Sequence, residues 1–272
     1  MTAIRIAIAA AALVLALGAC SRDEESAAGA GNALLDYVQA DTPYLAANLE
    51  PLPEDVVDAW LQRAQPLLDE LQTQLSRARA NLEDRDPGSV DNNPGERLAL
   101  ALLRELDGKL SREGISSLGL DVRSYKVVYG LGAFPVVRMG LADAATLRAT
   151  IQRVLDGAGL TAPEQSLQGV AYWRVGPDTH HDTPVGLYLA ILTDHLAIGI
   201  LPVAAESEAL PMFLGLERPA QSDARTRLAE LNRAHGYTAY GSAILDLRLL
   251  ADQFLLPDSL TARVLAGTGA YD

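Results

Sequence analysis

The first twenty residues constrain this chain more than any other stretch. A single arginine, Arg5, precedes an unbroken run of Ile, Ala, Leu and Val from Ile6 to Leu17. A helix needs about 20 apolar residues to cross a bilayer core of about 30 Å, and this run is shorter. A positive residue followed by a short apolar core is typical of a secretory signal peptide. The folded part of the chain is therefore expected after residue 19.

The apolar run ends in a short motif that includes the only cysteine of the chain: Leu17, Gly18, Ala19 and Cys20. This motif resembles the lipobox of bacterial lipoproteins, in which the cysteine is acylated and becomes the mature N-terminus. The resemblance implies that residues 1–19 are a signal peptide and that Cys20 carries the lipid. Lipoproteins with Ser rather than Asp after the cysteine are usually sorted to the outer membrane, and the next residue here is Ser21. Two alternatives stay open, a cleaved signal with an unrelated cysteine and an uncleaved anchor in the cell membrane.

The composition excludes several classes of partner. A net charge of −13 argues against nucleic acid and against adhesion to anionic headgroups, because both need clustered Lys and Arg. If Cys20 is lipidated, no thiol remains for a disulfide or for a cysteine-ligated metal. Apolar residues make up 49% of the chain, which is enough to build a hydrophobic core.

Residues 20–32 form the second predicted segment, the lipidated cysteine and its tether. Residues 21–32 are first charged and then rich in Ala and Gly, without an apolar period, which is typical of a flexible linker. Beyond the tether we predict a strand plus a helical hairpin over 33–120 and a sheet region over 121–272. The body is also similar to uncharacterised bacterial envelope lipoproteins, and no motif in it names a family.

Two apolar stripes predict the helical hairpin. The first has alternating spacings of four and three residues, an a/d pattern: Val57, Leu61, Ala64, Leu68, Leu71, Leu75, Ala78 and Leu82. The second follows a polar loop over residues 84–95: Ala99, Leu103, Leu106 and Leu110. Pro66 is expected to kink the first helix. We expect the first stripe to pack on the protein's own core, with Leu68 and Leu71 buried; the alternative is a docking arm for a partner helix.

The sequence after Tyr125 alternates between strand and helix patterns. The predicted strands are residues 125–131, 134–141, 167–175, 185–192, 196–201 and 237–247. Four helices are predicted in this region. The first follows an N-cap at Asp143, the second begins at Pro202, the third follows an N-cap at Ser222 and the last extends to Leu265. This order predicts an α+β fold, an antiparallel sheet with helices on one face. Because the last strand would leave a sheet edge uncovered, we expect the chain to continue past Asp272; a short terminal tail is the alternative.

Ligand-type side chains cluster at one place only, residues 178–182. His180 and Asp182 could converge on zinc or copper if this segment is a hairpin loop. Adjacent histidines diverge on an extended backbone, so a solvated polar loop is the better interpretation, and we predict neither metal nor cofactor. His195 is predicted to be a turn residue, and His235 the C-terminal residue of a helix, where the dipole favours it.

These features predict a non-enzymatic outer-membrane lipoprotein. Its body would face the periplasm and bind another envelope component, a protein partner. The acyl chains would anchor the protein to the membrane. No catalytic residue is predicted, since nucleophile-elbow, zinc-protease and phosphate-loop motifs do not occur in the sequence. The alternatives are an inhibitor of a periplasmic hydrolase and a cell-wall hydrolase.

The lipobox interpretation is tested at the cysteine. Cys20→Ser should abolish palmitate labelling and partition into detergent, because the acyl chains would have no attachment site. Metabolic labelling and detergent phase separation measure both properties. A variant that still labels and still fractionates with membranes would contradict the interpretation.

Overall fold

A computed structural model describes residues 31–83, 94–175, 185–220 and 222–267. These residues form two compact units. The helical unit contains the described residues of Leu52–Ser124 and Gly140–Pro163, and the sheet unit those of Ala11–Pro51, Tyr125–Met139 and Glu164–Asp272. Within the described ranges, no helix combines the length and the apolar composition that a membrane crossing requires.

The helical unit contains four helices: α1 (Glu54–Glu83), α2 (Pro94–Leu106), α3 (Arg112–Ser116) and α4 (Ala144–Gly157). Helix α2 packs against both α1 and α4. The prediction that two successive helices pack together is therefore confirmed for α1 and α2. The side chain of Asp143 caps α4 by accepting from the Thr146 amide at 2.5 Å, as predicted, and Gly159 follows its end with φ +60°.

The apolar stripe of α1 is buried mainly in its first half. Val57 and Leu68 are buried, Leu71 and Leu75 are half-buried, and Ala78 is exposed. The expected burial is therefore confirmed for Leu68 and only partial for Leu71. On α2, Ala99 is buried. The stripe thus contributes to the core of the helical unit, mostly through residues in the first half of α1.

The sheet unit is built on an eight-stranded open sheet. Its strands are β1 (Tyr44–Ala47), β2 (Lys126–Leu131), β3 (Phe134–Gly140), β4 (Gln165–Leu167), β5 (Val170–Val175), β6 (Val185–Ile191), β7 (His195–Pro202) and β8 (Ser242–Leu245). Their order is β4-β5-β6-β7-β3-β2-β1-β8, with antiparallel pairing. Strands β4 and β8 form the two edges.

One face of this sheet carries the core of the unit. Alternate strand residues enter the core, as a period of two requires: Leu45, Ala47, Val127, Tyr129, Leu131, Tyr188, Ala190, Ala197 and Leu201. They share this core with residues of a 3-10 helix (Ala33–Tyr37) and of α5 (Glu206–Leu214), α6 (Ala224–His235) and α8 (Leu260–Gly267). A nine-residue helix, α7 (Leu247–Leu255), follows β8 directly. The predicted α+β fold is confirmed.

Three local predictions differ from the structure. The predicted strand at 167–175 is a hairpin, β4 and β5, which turns at Gln168 and Gly169, both with positive φ. The predicted strand at 237–247 is reduced to β8, which matches the four residues of β1. Ser222 is not the cap of α6: its hydroxyl donates to the Leu35 carbonyl at 2.8 Å, and Asp223 occupies the N-cap position. The C-terminal end of α6 at His235, followed by Gly236, is as predicted.

Two neighbouring leucines of α1 test the helical core. Leu68 is 8% exposed and Leu67 is 57% exposed. Leu68→Ala should lower the free energy of unfolding by about 2–3 kcal/mol, because it removes buried methyl groups and leaves a cavity. Leu67→Ala, the matched control, should change it by less than about 0.5 kcal/mol. Denaturant unfolding followed by circular dichroism measures both, and equal effects would show that the stripe does not pack in a core.

Candidate functional site

The candidate residues of the lipid and metal sites lie outside the described residues. This holds for the motif Leu17, Gly18, Ala19 and Cys20 and for His180 and Asp182. In the part of the chain that the structure describes, no three His, Cys, Asp or Glu side chains come together in a way that could hold a metal ion. The described residues instead present two features with functional potential, a buried Arg–His cluster and an exposed apolar surface.

Arg138 is the centre of the buried cluster. It lies on β3 two residues after Val136 and points into the same core, fully buried. Its guanidinium donates from Nε to the Tyr129 hydroxyl at 3.1 Å and from Nη2 to the Phe213 carbonyl at 2.6 Å. Its Nη1 lies 2.9 Å from Nε2 of His195. These acceptors satisfy a cation that would be costly to bury alone.

The Phe213 carbonyl belongs to the last turn of α5. Carbonyls at a helix C-terminus lack intrahelical donors and carry the negative end of the helix dipole, so a guanidinium stabilises them. Gly215 ends the helix with φ +73°, and a Cβ there would lie 2.4 Å from Cε1 of Tyr37. Glycine is required at this position for its backbone conformation and for the close approach of the tyrosine ring.

The ring of Tyr37 contacts two guanidinium groups. Arg138 stands 3.8 Å from the ring centroid and Arg218 stands 4.5 Å from it. Arg218, which is exposed, also donates from Nη2 to the Tyr37 hydroxyl at 2.9 Å. Cation–π contacts of this kind are worth about 0.5–2 kcal/mol each, more when desolvated. Tyr37 therefore covers the buried arginine and connects it to the protein surface.

His195 closes the hairpin turn where it was predicted, its carbonyl accepting from the Leu192 amide at 2.9 Å, and its ring is buried in the core. It is the first residue of β7, next to β3, and its ring lies 5.2 Å from that of Tyr37. Because a guanidinium can only donate, Nε2 must accept from Arg138, and Nδ1 carries the proton toward Asp194 Oδ1 at 2.6 Å. Burial lowers the pKa of His195, the Asp194 hydrogen bond opposes this, and Arg138 lowers it further. The ring is therefore held neutral.

The hydrogen-bonding groups of the cluster are paired with other groups of the fold. Arg138 and His195 are buried, whereas Asp194, with 73% of its side chain exposed, is open to solvent. The arrangement ties β3, β7 and α5 together and can respond to protons. Sequence reasoning did not single out Arg138, because arginine is rarely fully buried; its spacing of two from Val136 in the predicted strand 134–141 was the available signal.

The second feature is an exposed apolar surface formed by the end of β8, helix α7 and the residue after it, which we name the α7 surface. Its large side chains are between 44% and 75% exposed: Leu245, Leu247, Phe254, Leu255 and Leu256. Leu247 and Phe254 or Leu255 lie seven or eight positions apart, so they share one side of α7. Asp246 caps this helix by accepting from the amides of Arg248 and Leu249, each at 3.0 Å. The N-terminus of α7 is thus capped, while the apolar side of the helix faces solvent.

Comparisons with known proteins give no relative for this chain. No protein-family model matches it, and neither a curated protein nor a solved structure resembles it significantly. The functional argument therefore depends on the residues and contacts described above.

The state of His195 predicts a pH dependence of stability. The unfolded histidine has an ordinary pKa of about 6.5 and the folded one a lower pKa, so below pH 6.5 the unfolded state binds more protons. The contribution of His195 to the free energy of unfolding should therefore be fully present above this pH, and it should decrease as the pH is lowered from 7 to 5. His195→Gln, which keeps an acceptor for Arg138, should flatten this dependence. The same exchange at the exposed His235 is the control, and an unchanged slope in His195→Gln would contradict the assignment.

Proposed function

We propose that the protein is a lipid-anchored module of the bacterial outer membrane, facing the periplasm, that acts by binding another envelope component rather than by catalysis. The lipobox-like motif ending at Cys20 supports the anchor. The α7 surface supports the binding role, and it is the single observation on which the proposal depends.

An apolar surface of this kind is costly for a monomer in water. Soluble monomers rarely expose a contiguous apolar patch larger than a few hundred Å², and larger patches mark interaction sites. The α7 surface concentrates five large apolar side chains within residues 245–256. The chain otherwise carries a net charge of −13, which keeps it soluble but contributes no apolar contact. Burial of Leu247 and Leu255 against a partner would remove this cost.

The entry point of the tether is fixed to the sheet. Asn32 is buried, and its Nδ2 donates to the carbonyls of Asn48 at 2.8 Å and Lys126 at 3.1 Å. Its own carbonyl accepts from Nη2 of Arg225 at 3.0 Å. A chain of residues 21–31 can span at most about 40 Å. An anchor on Cys20 would thus hold the sheet unit within this distance of the membrane, where an envelope partner is at high local concentration.

The buried Arg–His cluster adds no support for catalysis. A general acid or base must lie within hydrogen-bond reach of its substrate, either directly or through a water. Arg138 and His195 are enclosed in the core and bonded to Tyr129, Phe213 and Asp194. Their contacts are those of a structural network.

Photo-crosslinking in cells tests the binding role. A benzoyl-phenylalanine replacing Leu255 in the full-length chain should give discrete crosslinked products on irradiation, because this side chain is covered by a partner. The same probe at Leu67, exposed but in the helical unit, is the control and should give none of these products. Immunoblots of irradiated cells measure both.

Two results would contradict the proposal. One is the absence of any product specific to Leu255. The other is turnover of peptidoglycan by the purified full-length chain that a single carboxylate substitution, for example Asp194→Asn, abolishes.

A further inference from the structure

We propose that the contact between Arg138 and His195 is an acid-sensitive latch: protonation of His195 breaks it, and the ring of Tyr37 and the loop of residues 215–220 then open over the cluster. The inference concerns a conformational change in the sheet unit and does not rest on the proposed function. It is carried by the charges around His195, by the exposure of the loop and by the buried side chains on either side of it.

The groups that face His195 carry more positive than negative charge. Arg138 of β3 lies 2.9 Å from Nε2, and the charge of Arg218, in the loop after α5, also lowers the pKa of the ring. Asp194 of the β6–β7 turn lies 2.6 Å from Nδ1. Tyr37 of the 3-10 helix packs on the ring at 5.2 Å between centroids, and α5 faces the cluster with a backbone carbonyl bonded to the arginine. A protonated ring would therefore be one of three cations beside a single carboxylate.

Protonation reverses the role of the nitrogen that faces the arginine. Neutral His195 accepts from Arg138 through Nε2, whereas a protonated ring can only donate there, so two donors with like charges would lie 2.9 Å apart. Both side chains are buried, so salt and water screen this repulsion much less than at a surface. The contact must break when the ring takes up a proton. Arg138 keeps its acceptors on Tyr129 and Phe213 and therefore stays in place.

The loop after α5 is the part of the cover that can move. Glu217, Arg218 and Ala220 are exposed. Arg218 connects the loop to the ring of Tyr37, because its guanidinium donates to the hydroxyl at 2.9 Å and lies 4.5 Å from the ring centroid. Gly215, with φ +73°, provides a hinge at the end of α5. In the open form of the latch, this loop and the half-buried ring are displaced and water reaches the imidazolium; the arrangement in the structure is the closed form.

Buried groups limit the opening on both sides of the loop. On the 3-10 helix and directly after it, Leu34, Leu35 and Val38 are at most 5% exposed. After the loop, the Ser222 hydroxyl donates to the Leu35 carbonyl at 2.8 Å. Release of these three side chains would expose more apolar surface than the uptake of one proton can compensate. The opening is therefore local, confined to the ring of Tyr37 and the loop.

Proton linkage determines the sign and the upper limit of the effect. In the closed form, burial lowers the pKa of His195, and Arg138 lowers it further against the opposing hydrogen bond of Asp194. In the open form, the hydrated ring has the ordinary pKa of about 6.5. The closed form is therefore favoured above this pH and becomes less favoured as the pH falls below it. One proton raises the opening constant by at most about tenfold for each pH unit, hence by at most about thirtyfold at pH 5.

Hydrogen exchange of the full-length chain in detergent tests the latch. The probes are the amides of Gly215, Leu216 and Glu217, which donate to the carbonyls of Met212 and Pro211 in the closed form. After correction for the intrinsic exchange rate, their opening constant should rise about five- to thirtyfold between pH 7 and pH 5. A low concentration of urea should leave it unchanged, because a local opening exposes little surface. Amides of β2, which exchange through global unfolding, should be slower and should respond to urea.

Two histidine variants separate the latch from other titrations. His195→Gln keeps an acceptor for Arg138 and should abolish the pH dependence of the loop amides, whereas the same exchange at the exposed His235 should leave it unchanged. The imidazole carbon-13 signal that disappears in His195→Gln should titrate over the same pH range as the exchange of the loop.

Three results would overturn the latch. The first is loop exchange that does not depend on pH or that follows urea as β2 does. The second is a pH dependence that persists in His195→Gln. The third is a ring that titrates while the loop stays closed, which would show that the imidazole moves alone. The first result needs only the unsubstituted chain, so it decides the question even if His195→Gln does not fold.

Discussion

Burial of the Arg138 guanidinium is the interaction on which the sheet unit depends. A charged group in a core destabilises the fold by several kcal/mol unless hydrogen bonds and favourable dipoles compensate. Here the compensation comes from distant parts of the chain: the Tyr129 hydroxyl on β2, the His195 ring on β7 and the Phe213 carbonyl at the end of α5. Each of these elements must reach its place before the cation is satisfied. The cluster therefore favours this one arrangement of β3, β7 and α5 over alternatives that would leave the cation unpaired.

The requirements of Arg138 extend to its neighbours. Since the arginine can only donate, His195 must present an unprotonated nitrogen to it and direct its own proton to Asp194. The same guanidinium needs a cover, which the ring of Tyr37 provides at 3.8 Å. That ring occupies the space in which any side chain at residue 215 would lie, so the helix α5 must end in glycine. One buried charge thus determines a tautomer, an aromatic contact and a helix terminus.

Local patterns in the sequence predicted those elements whose causes are local. Asp143 was found as a helix cap because the capping amide, that of Thr146, lies three residues away. The turn position of His195 was predicted, but its burial was not, because its partner Arg138 is 57 residues distant and nothing near the histidine indicates burial. The predicted strand ending at Leu247 is shorter because β1 offers only four residues for pairing. Leucines 247 and 255 have the spacing of a buried helix face, and their exposure follows only from the tertiary packing of the other side of α7.

The point at which the proposed tether would meet the fold lies near the β8 edge of the sheet. Asn32 donates to the carbonyls of Asn48, directly after β1, and Lys126, at the start of β2. Strand β8 pairs with β1 so that Ser242 lies opposite Ala47, the residue before Asn48. A tether that ends at Asn32 would therefore reach the sheet one or two strands from its β8 edge.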